Sequence, residues 1–200
     1  MVYTIAIDGI IGCGKSSLIS ELARDFTCFP EPIHEWSLLS DFYNQMSTYA
    51  APFQFQVLFS FHKMFSAFKN VNDKIIIERC PWSSKNIFTS MLVEEGYISE
   101  EEHRMYLDFY DRLGFNVDMH IYLKVDPAIA YQRILQRDRA VERTLQFDYL
   151  KALHNKYEKH FSVKQACYIV DANQSLDEVK TNVIKILDGV SLNSPDGSDT

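Results

Sequence analysis

The chain has 200 residues, 46% of them hydrophobic and 24% charged, the balance of one globular domain with a single large core. A formal net charge of −7 argues against a surface that grips nucleic acid or an anionic membrane, and no apolar run is long enough to span a bilayer. Four cysteines without C-x-x-C spacing and six histidines without an H-E-x-x-H pair suggest neither a zinc site nor a disulfide framework, and reduced thiols without a cleavable leader are expected of a cytoplasmic protein.

An apolar, β-branched run over residues 2–7 predicts a first strand, and Gly9-Ile10-Ile11-Gly12-Cys13-Gly14-Lys15-Ser16 follows it directly. This is a complete G-x-x-x-x-G-K-S loop leading into a helix-like stretch over 16–23 that includes Ser17. Glycines let the backbone turn its N–H groups around a phosphate, the helix N-terminus adds its dipole, Lys15 reaches the outer phosphates, and the Ser16 hydroxyl can ligate Mg²⁺. The chain is therefore expected to bind a nucleoside triphosphate, which alone names no reaction.

A second short strand around 27–30 ends at Glu31-Pro32-Ile33-His34-Glu35-Trp36. A carboxylate there could take the proton of a substrate hydroxyl, although an exposed turn glutamate beside a core tryptophan fits the hexapeptide equally well. The next segment, Pro52 to Phe68, predicts a helix on which Gln54, Val57 and Phe61 share one face. Its glutamine amide could read the edge of a base, while the aromatics are also compatible with ordinary core. A strand over 74–78 ends in Glu78-Arg79-Cys80, placing Glu78 where it can hold Mg²⁺ beside Ser16 and Arg79 where it can steady a transferring phosphoryl group. Ser84 and Phe88 on the following helix could add a small wall and a stacking ring. After a strand over 119–123 comes the one basic focus of the acidic chain, Arg133, Arg137, Arg139 and Arg143 within eleven positions. It reads as an arginine-rich lid over phosphates or as a charged helix face. A fifth strand over 166–170 completes the pattern, and 191–200 has the composition of a disordered tail.

Continuous apolar strands alternating with helices predict an α/β fold: a P-loop NTPase-type parallel five-stranded sheet with helices on both faces, one domain over 1–190. Ligands then sit beyond the carboxyl ends of the strands, where all of these motifs fall.

Together these motifs, in this order, resemble the deoxynucleoside kinase family over most of residues 2–190. The resemblance implies transfer of the ATP γ-phosphate to the 5′-hydroxyl of a deoxynucleoside, with Mg²⁺, in nucleotide salvage. It implies that Glu31 is the general base, that Glu78 and Arg79 form the family's E-R pair, and that Arg133, Arg137 and Arg139 form the lid. It further implies that Gln54 reads the base and Phe88 stacks on it. Tyr43 and Glu142 hold the sugar 3′-hydroxyl, and Ile11, Trp36, Val57 and Phe61 wall the pocket. Members are commonly homodimers. The chain departs from the family in Cys80-Pro81, where serine and a non-proline are usual. Ser84 and Phe61 stand where deoxycytidine and deoxyguanosine kinases carry aspartate and arginine, which points to a pyrimidine, thymidine-like preference. Thymidylate kinase, or a non-catalytic structural or sensing protein on the same fold, is the alternative reading.

Overall fold

The computed structural model describes residues 2–190 apart from Asn72, so the expected tail at 191–200 lies outside the described residues. Five parallel strands form one sheet: β1 (Tyr3–Asp8), β2 (Thr27–Phe29), β3 (Lys74–Glu78), β4 (Met119–Lys124) and β5 (Cys167–Asp171), in the order β2-β3-β1-β4-β5. Register pairs Ile5 of β1 with Ile76 of β3 and Met119 of β4. Consecutive strand residues point to opposite faces. Because Ile75, Ile76 and Ile77 are all fully buried, helices must cover both faces, as the apolar runs predict. The edge strand β5 departs from that expectation. With a neighbour on one side only, it leaves Tyr168 and Ile169 about half exposed and buries Val170.

Nine α-helices are seen among the described residues. They are α1 (Lys15–Leu22), α2 (Leu39–Asn44), α3 (Met46–Phe65), α4 (Pro81–Ser83), α5 (Ser90–Glu94), α6 (Glu100–Leu113), α7 (Pro127–Arg137), α8 (Phe147–Phe161) and α9 (Leu176–Gly189). None is long and apolar enough to cross a membrane. A π-helical segment, Ser84–Thr89, joins α4 to α5.

Two helices differ from their sequence-based bounds. The one expected from Pro52 begins at Met46 and carries that proline inside it. Burial of Ala50, Ala51 and Phe53 outweighs the single backbone hydrogen bond a proline cannot donate. It also ends at Phe65, short of the expected Phe68, and continues as a 3-10 turn over Ser66–Asn70. The arginine-rich stretch is not one helix either. α7 stops at Arg137, Asp138 turns into the left-handed region (φ 44°), and Ala140–Glu142 form a 3-10 turn. Two ion pairs fold this corner back on itself, Arg137 with Glu142 and Arg143 with Asp138.

Candidate active site

The P-loop takes the shape its glycines allow. Gly12 lies at φ 83°, and a Cβ there would stand 2.4 Å from the carbonyl oxygen of Ala130 in α7, so the loop can lie against that helix only without a side chain. Gly14 caps α1 at φ 103°, and the helix start has no side-chain cap and no acidic residue in its first turn. Such an N-terminus is left for an anion. Lys15 is almost wholly buried, its ammonium donating to the carbonyl oxygens of Gly9 and Ile10, both at 2.9 Å. The Ser16 hydroxyl donates to Glu78 Oε1 at 2.8 Å, joining the first turn of α1 to the end of β3.

At the neck beyond the loop, Arg79 Nη1 meets Glu31 Oε2 at 2.6 Å, with side-chain exposures of 8% and 6%. Arg79 also donates from Nη2 to the Gly9 carbonyl (3.2 Å) and from Nε to the Tyr157 hydroxyl (3.4 Å), and it lies 5.0 Å from the Phe88 ring centroid. Its backbone is held at φ 59°, a conformation costing a non-glycine residue roughly 1–2 kcal/mol. Strain of this kind persists where surroundings over-determine it. The Cys80-Pro81 departure comes directly after this strained residue: Cys80 is extended, Pro81 takes the first helical position, and the Cys80 amide is satisfied by Ser83 Oγ at 3.2 Å. Burial pushes the Glu31 carboxyl above its usual value against the opposing Arg79 charge, with Glu78 adding to the rise and Lys15 to the fall. Burial alone would lower the Arg79 guanidinium, and the Glu31 carboxylate outweighs it, holding Arg79 well above its usual value.

The pair and the P-loop line one cavity of about 330 Å³. Every residue expected at the acceptor side lines it: Glu31, Trp36, Tyr43, Gln54, Val57, Phe61, Arg79, Ser84, Phe88 and Glu142, together with Ile11, Lys15, Ser16 and Glu78. The Trp36 indole donates to Ser60 Oγ at 2.8 Å, which fixes its ring against Phe53. Burial raises the Tyr43 hydroxyl, and the nearby Glu142 carboxylate adds to it, so the two residues share one electrostatic neighbourhood. Tyr149, which no sequence motif flagged, lines the same cavity, as do Phe42 and Phe53, stacked with centroids 4.7 Å apart.

The arginines divide. Arg137 holds Glu142 through two hydrogen bonds, Nε to Oε2 at 2.9 Å and Nη2 to Oε1 at 2.5 Å, and Arg139 stands 3.9 Å from the same carboxylate. Arg133 is absent from the lining of this cavity. Its guanidinium donates to the carbonyls of Ala172 (3.0 Å), Cys13 (3.4 Å) and Gln174 (3.4 Å), tying α7 to the P-loop and to the turn after β5. Those groups border a second cavity of about 490 Å³ on the outer side of the loop, lined by Gly12, Cys13, Gly14 and Ser17 and by Gln174, Ser175 and Leu176. Ile10 is core, so only its backbone faces the loop, and Gly9 lines neither cavity. The 172–176 turn was missed from sequence because its bonds to Arg133 run through carbonyls.

Beneath the loop, Asp8, Cys80 and His120 gather with potential ligand atoms within 4.8 Å of one another, although they are scattered in sequence. His120 Nδ1 and Asp8 Oδ2 are hydrogen-bonded at 2.9 Å, and burial, with the Asp8 charge, pushes the Cys80 thiol up to about 12.

A family profile described as deoxynucleoside kinase matches residues 5–192. A putative kinase protein of invertebrate iridescent virus 3 is 57% identical over 187 residues, covering 94% of this chain and 97% of its own. A probable deoxycytidine kinase of fowlpox virus is 36% identical over 167 residues, covering 79% of this chain and 71% of its own. Among solved structures, a deoxyadenosine kinase from M. mycoides with dCMP and dCDP bound superposes with a TM-score of 0.85 at 24% identity, covering 94% of this chain and all of that one.

Proposed function

This chain belongs to the deoxynucleoside kinase family, ATP-dependent phosphotransferases, and on that premise we propose that it phosphorylates the 5′-hydroxyl of a pyrimidine deoxynucleoside, thymidine favoured. One observation carries the reading: the buried Glu31–Arg79 pair and the P-loop residues Lys15 and Ser16 line one and the same cavity. A nucleoside in that cavity presents its 5′-hydroxyl to Glu31, which takes the proton as the oxygen bonds to the γ-phosphorus and the bond to the β-phosphate oxygen breaks, releasing ADP. Burial raises the Glu31 carboxyl, which makes it a stronger base for this step. Arg79, anchored on Gly9 and Tyr157, faces the charge that develops on the transferring group. Lys15 supplies a second cation to the donor phosphates, and Arg137 and Arg139 supply more when the corner after α7 closes as a lid. The donor base occupies the second cavity, beside Arg133 and the 172–176 turn.

Ser16 Oγ and Glu78 Oε1, 2.8 Å apart, form a hard oxygen pair of the kind that suits Mg²⁺. When bound, the ion neutralises charge on the β- and γ-phosphates.

Within the acceptor cavity, Gln54 faces the base with Phe88 as its stacking ring, and Tyr43 with Glu142 takes the 3′-hydroxyl. The neutral Ser84 and Phe61 leave out the charged pair that deoxycytidine and deoxyguanosine kinases carry, which supports the thymidine-like preference. For assembly we propose a homodimer through α3 and α6, whose outward Phe59 and Phe109 rings pack edge to face and are 47% and 38% exposed, with Met105 of α6 49% exposed. The deciding experiment is transfer of label from γ-labelled ATP to thymidine, deoxycytidine, deoxyuridine, deoxyadenosine, deoxyguanosine and dTMP. Label on nucleosides, pyrimidines first, supports the reading; label on dTMP alone makes the chain a nucleotide kinase instead.

A further inference from the structure

The segment Ser84–Thr89 is π-helical. Its i→i+5 bonding stacks residues five apart, so Ser84 and Thr89 project from one side. Both hydroxyls donate to Gln54 Oε1 at 3.3 Å, and Ser84 Oγ lies 3.2 Å from the Tyr106 hydroxyl. Burial raises the Tyr106 hydroxyl above its ordinary value, and the neighbouring Ser84 and Thr89 hydroxyls oppose that rise. All four side chains are buried, none more than 3% exposed. Only Gln54 and Ser84 carry a motif-level expectation.

A carboxamide offers an oxygen that accepts and an amino group that donates. A base with a keto group beside a ring N–H needs one orientation of that fork, and a base with an amino group beside a bare ring nitrogen needs the other, half a turn away. In a buried site the half turned from the base must find a partner in both orientations, or the rotation leaves a polar group unpaired. Hydroxyls meet that demand because each both donates and accepts. With the Gln54 oxygen inward, Ser84 and Thr89 donate to it, as here. With the amino group inward they must accept, and their protons need a new acceptor, which the Tyr106 oxygen provides.

We infer that Ser84, Thr89 and Tyr106 form an ambivalent clamp on Gln54, through which the cavity accepts deoxynucleosides bearing either a keto or an amino group on the base. Thr89 and Tyr106 are positioning residues that act through Gln54. The inference rests on the assignment of this cavity to the nucleoside.

The test is kcat/KM for thymidine and for deoxycytidine in the wild type, in Tyr106→Phe and in Thr89→Val, two changes that remove a hydroxyl with little change of volume. The wild type should use both substrates within about tenfold of each other. Each variant should move the thymidine-to-deoxycytidine ratio by about tenfold, in the same direction and mainly through KM. The amino-inward orientation loses a needed acceptor, whereas the oxygen-inward one loses only a spare partner. A wild-type ratio beyond roughly a hundredfold overturns the clamp, since a fork able to turn freely does not discriminate that strongly. So does a ratio that stays put in both variants, including equal losses for both substrates, which is what mere structural damage gives. If Tyr106→Phe fails to fold, the Thr89→Val ratio decides alone. Phosphorylation of neither nucleoside by the wild type removes the active-site reading itself, while use of both with an unmoved ratio removes only the clamp.

Discussion

Glu31→Gln removes one ionisable oxygen and little else. The amide oxygen can still accept from Arg79 across the 2.6 Å gap, and Arg79 keeps its bonds to Gly9 and Tyr157, so the guanidinium loses its counter-charge but none of its hydrogen-bond partners. The loss is therefore chemical. A positioned general base contributes about 10²–10⁴-fold, or ~2.7–5.4 kcal/mol of barrier at 1.36 kcal/mol per tenfold. Loss of kcat by that factor is expected, with nucleoside Kd held within about threefold, because the amide still hydrogen-bonds the 5′-hydroxyl and no contact to the base changes. Acidity gives a second handle. Burial holds the Glu31 carboxyl above its usual value, and the base must be ionised to accept a proton. Wild-type kcat/KM should therefore fall as pH drops through that raised value, and this acid limb should vanish in Glu31→Gln. The assay is initial rates at saturating ATP across pH on both proteins, with nucleoside affinity by calorimetry. Retention of kcat within about threefold, or an unchanged acid limb in the variant, would refute Glu31 as the base.

In Glu142→Ala, KM for thymidine should rise about tenfold or more while that for a 2′,3′-dideoxynucleoside stays put, since only the former offers the hydroxyl; equal changes would remove Glu142 from the sugar subsite. Gly12→Ala places a Cβ 2.4 Å from the Ala130 carbonyl oxygen at φ 83°, so denaturant unfolding should show a loss of more than ~2 kcal/mol together with weakened ATP binding. Chelation should abolish turnover and added Mg²⁺ restore it, with Ser16→Ala needing roughly ten times more of the ion; titration of activity against Mg²⁺ checks this.

What could be read from the chain and what could not divide along a physical line. The P-loop was legible because backbone conformation dictates its residue types: Gly12 and Gly14 stand at φ 83° and 103°, where other residues are strained, and Lys15 and Ser16 have fixed offsets from them. The three consecutive isoleucines of β3 were legible because a strand covered on both faces has no polar positions to alternate with. Pro52 misled because local propensity argues for a helix start, whereas burial across α3 decides the outcome. The π-helical segment at Ser84–Thr89 left no signal, since the partners of its hydroxyls, Gln54 and Tyr106, lie on helices distant in sequence. The 172–176 turn was silent for another reason: Arg133 binds it through carbonyls, which every residue possesses, so no side-chain pattern could mark it. Side chains that act by their own chemistry are thus visible in sequence. Groups that act by being placed, whether a carbonyl, a hydroxyl five residues along, or a left-handed Arg79, become visible only once the sheet has brought their partners to one end.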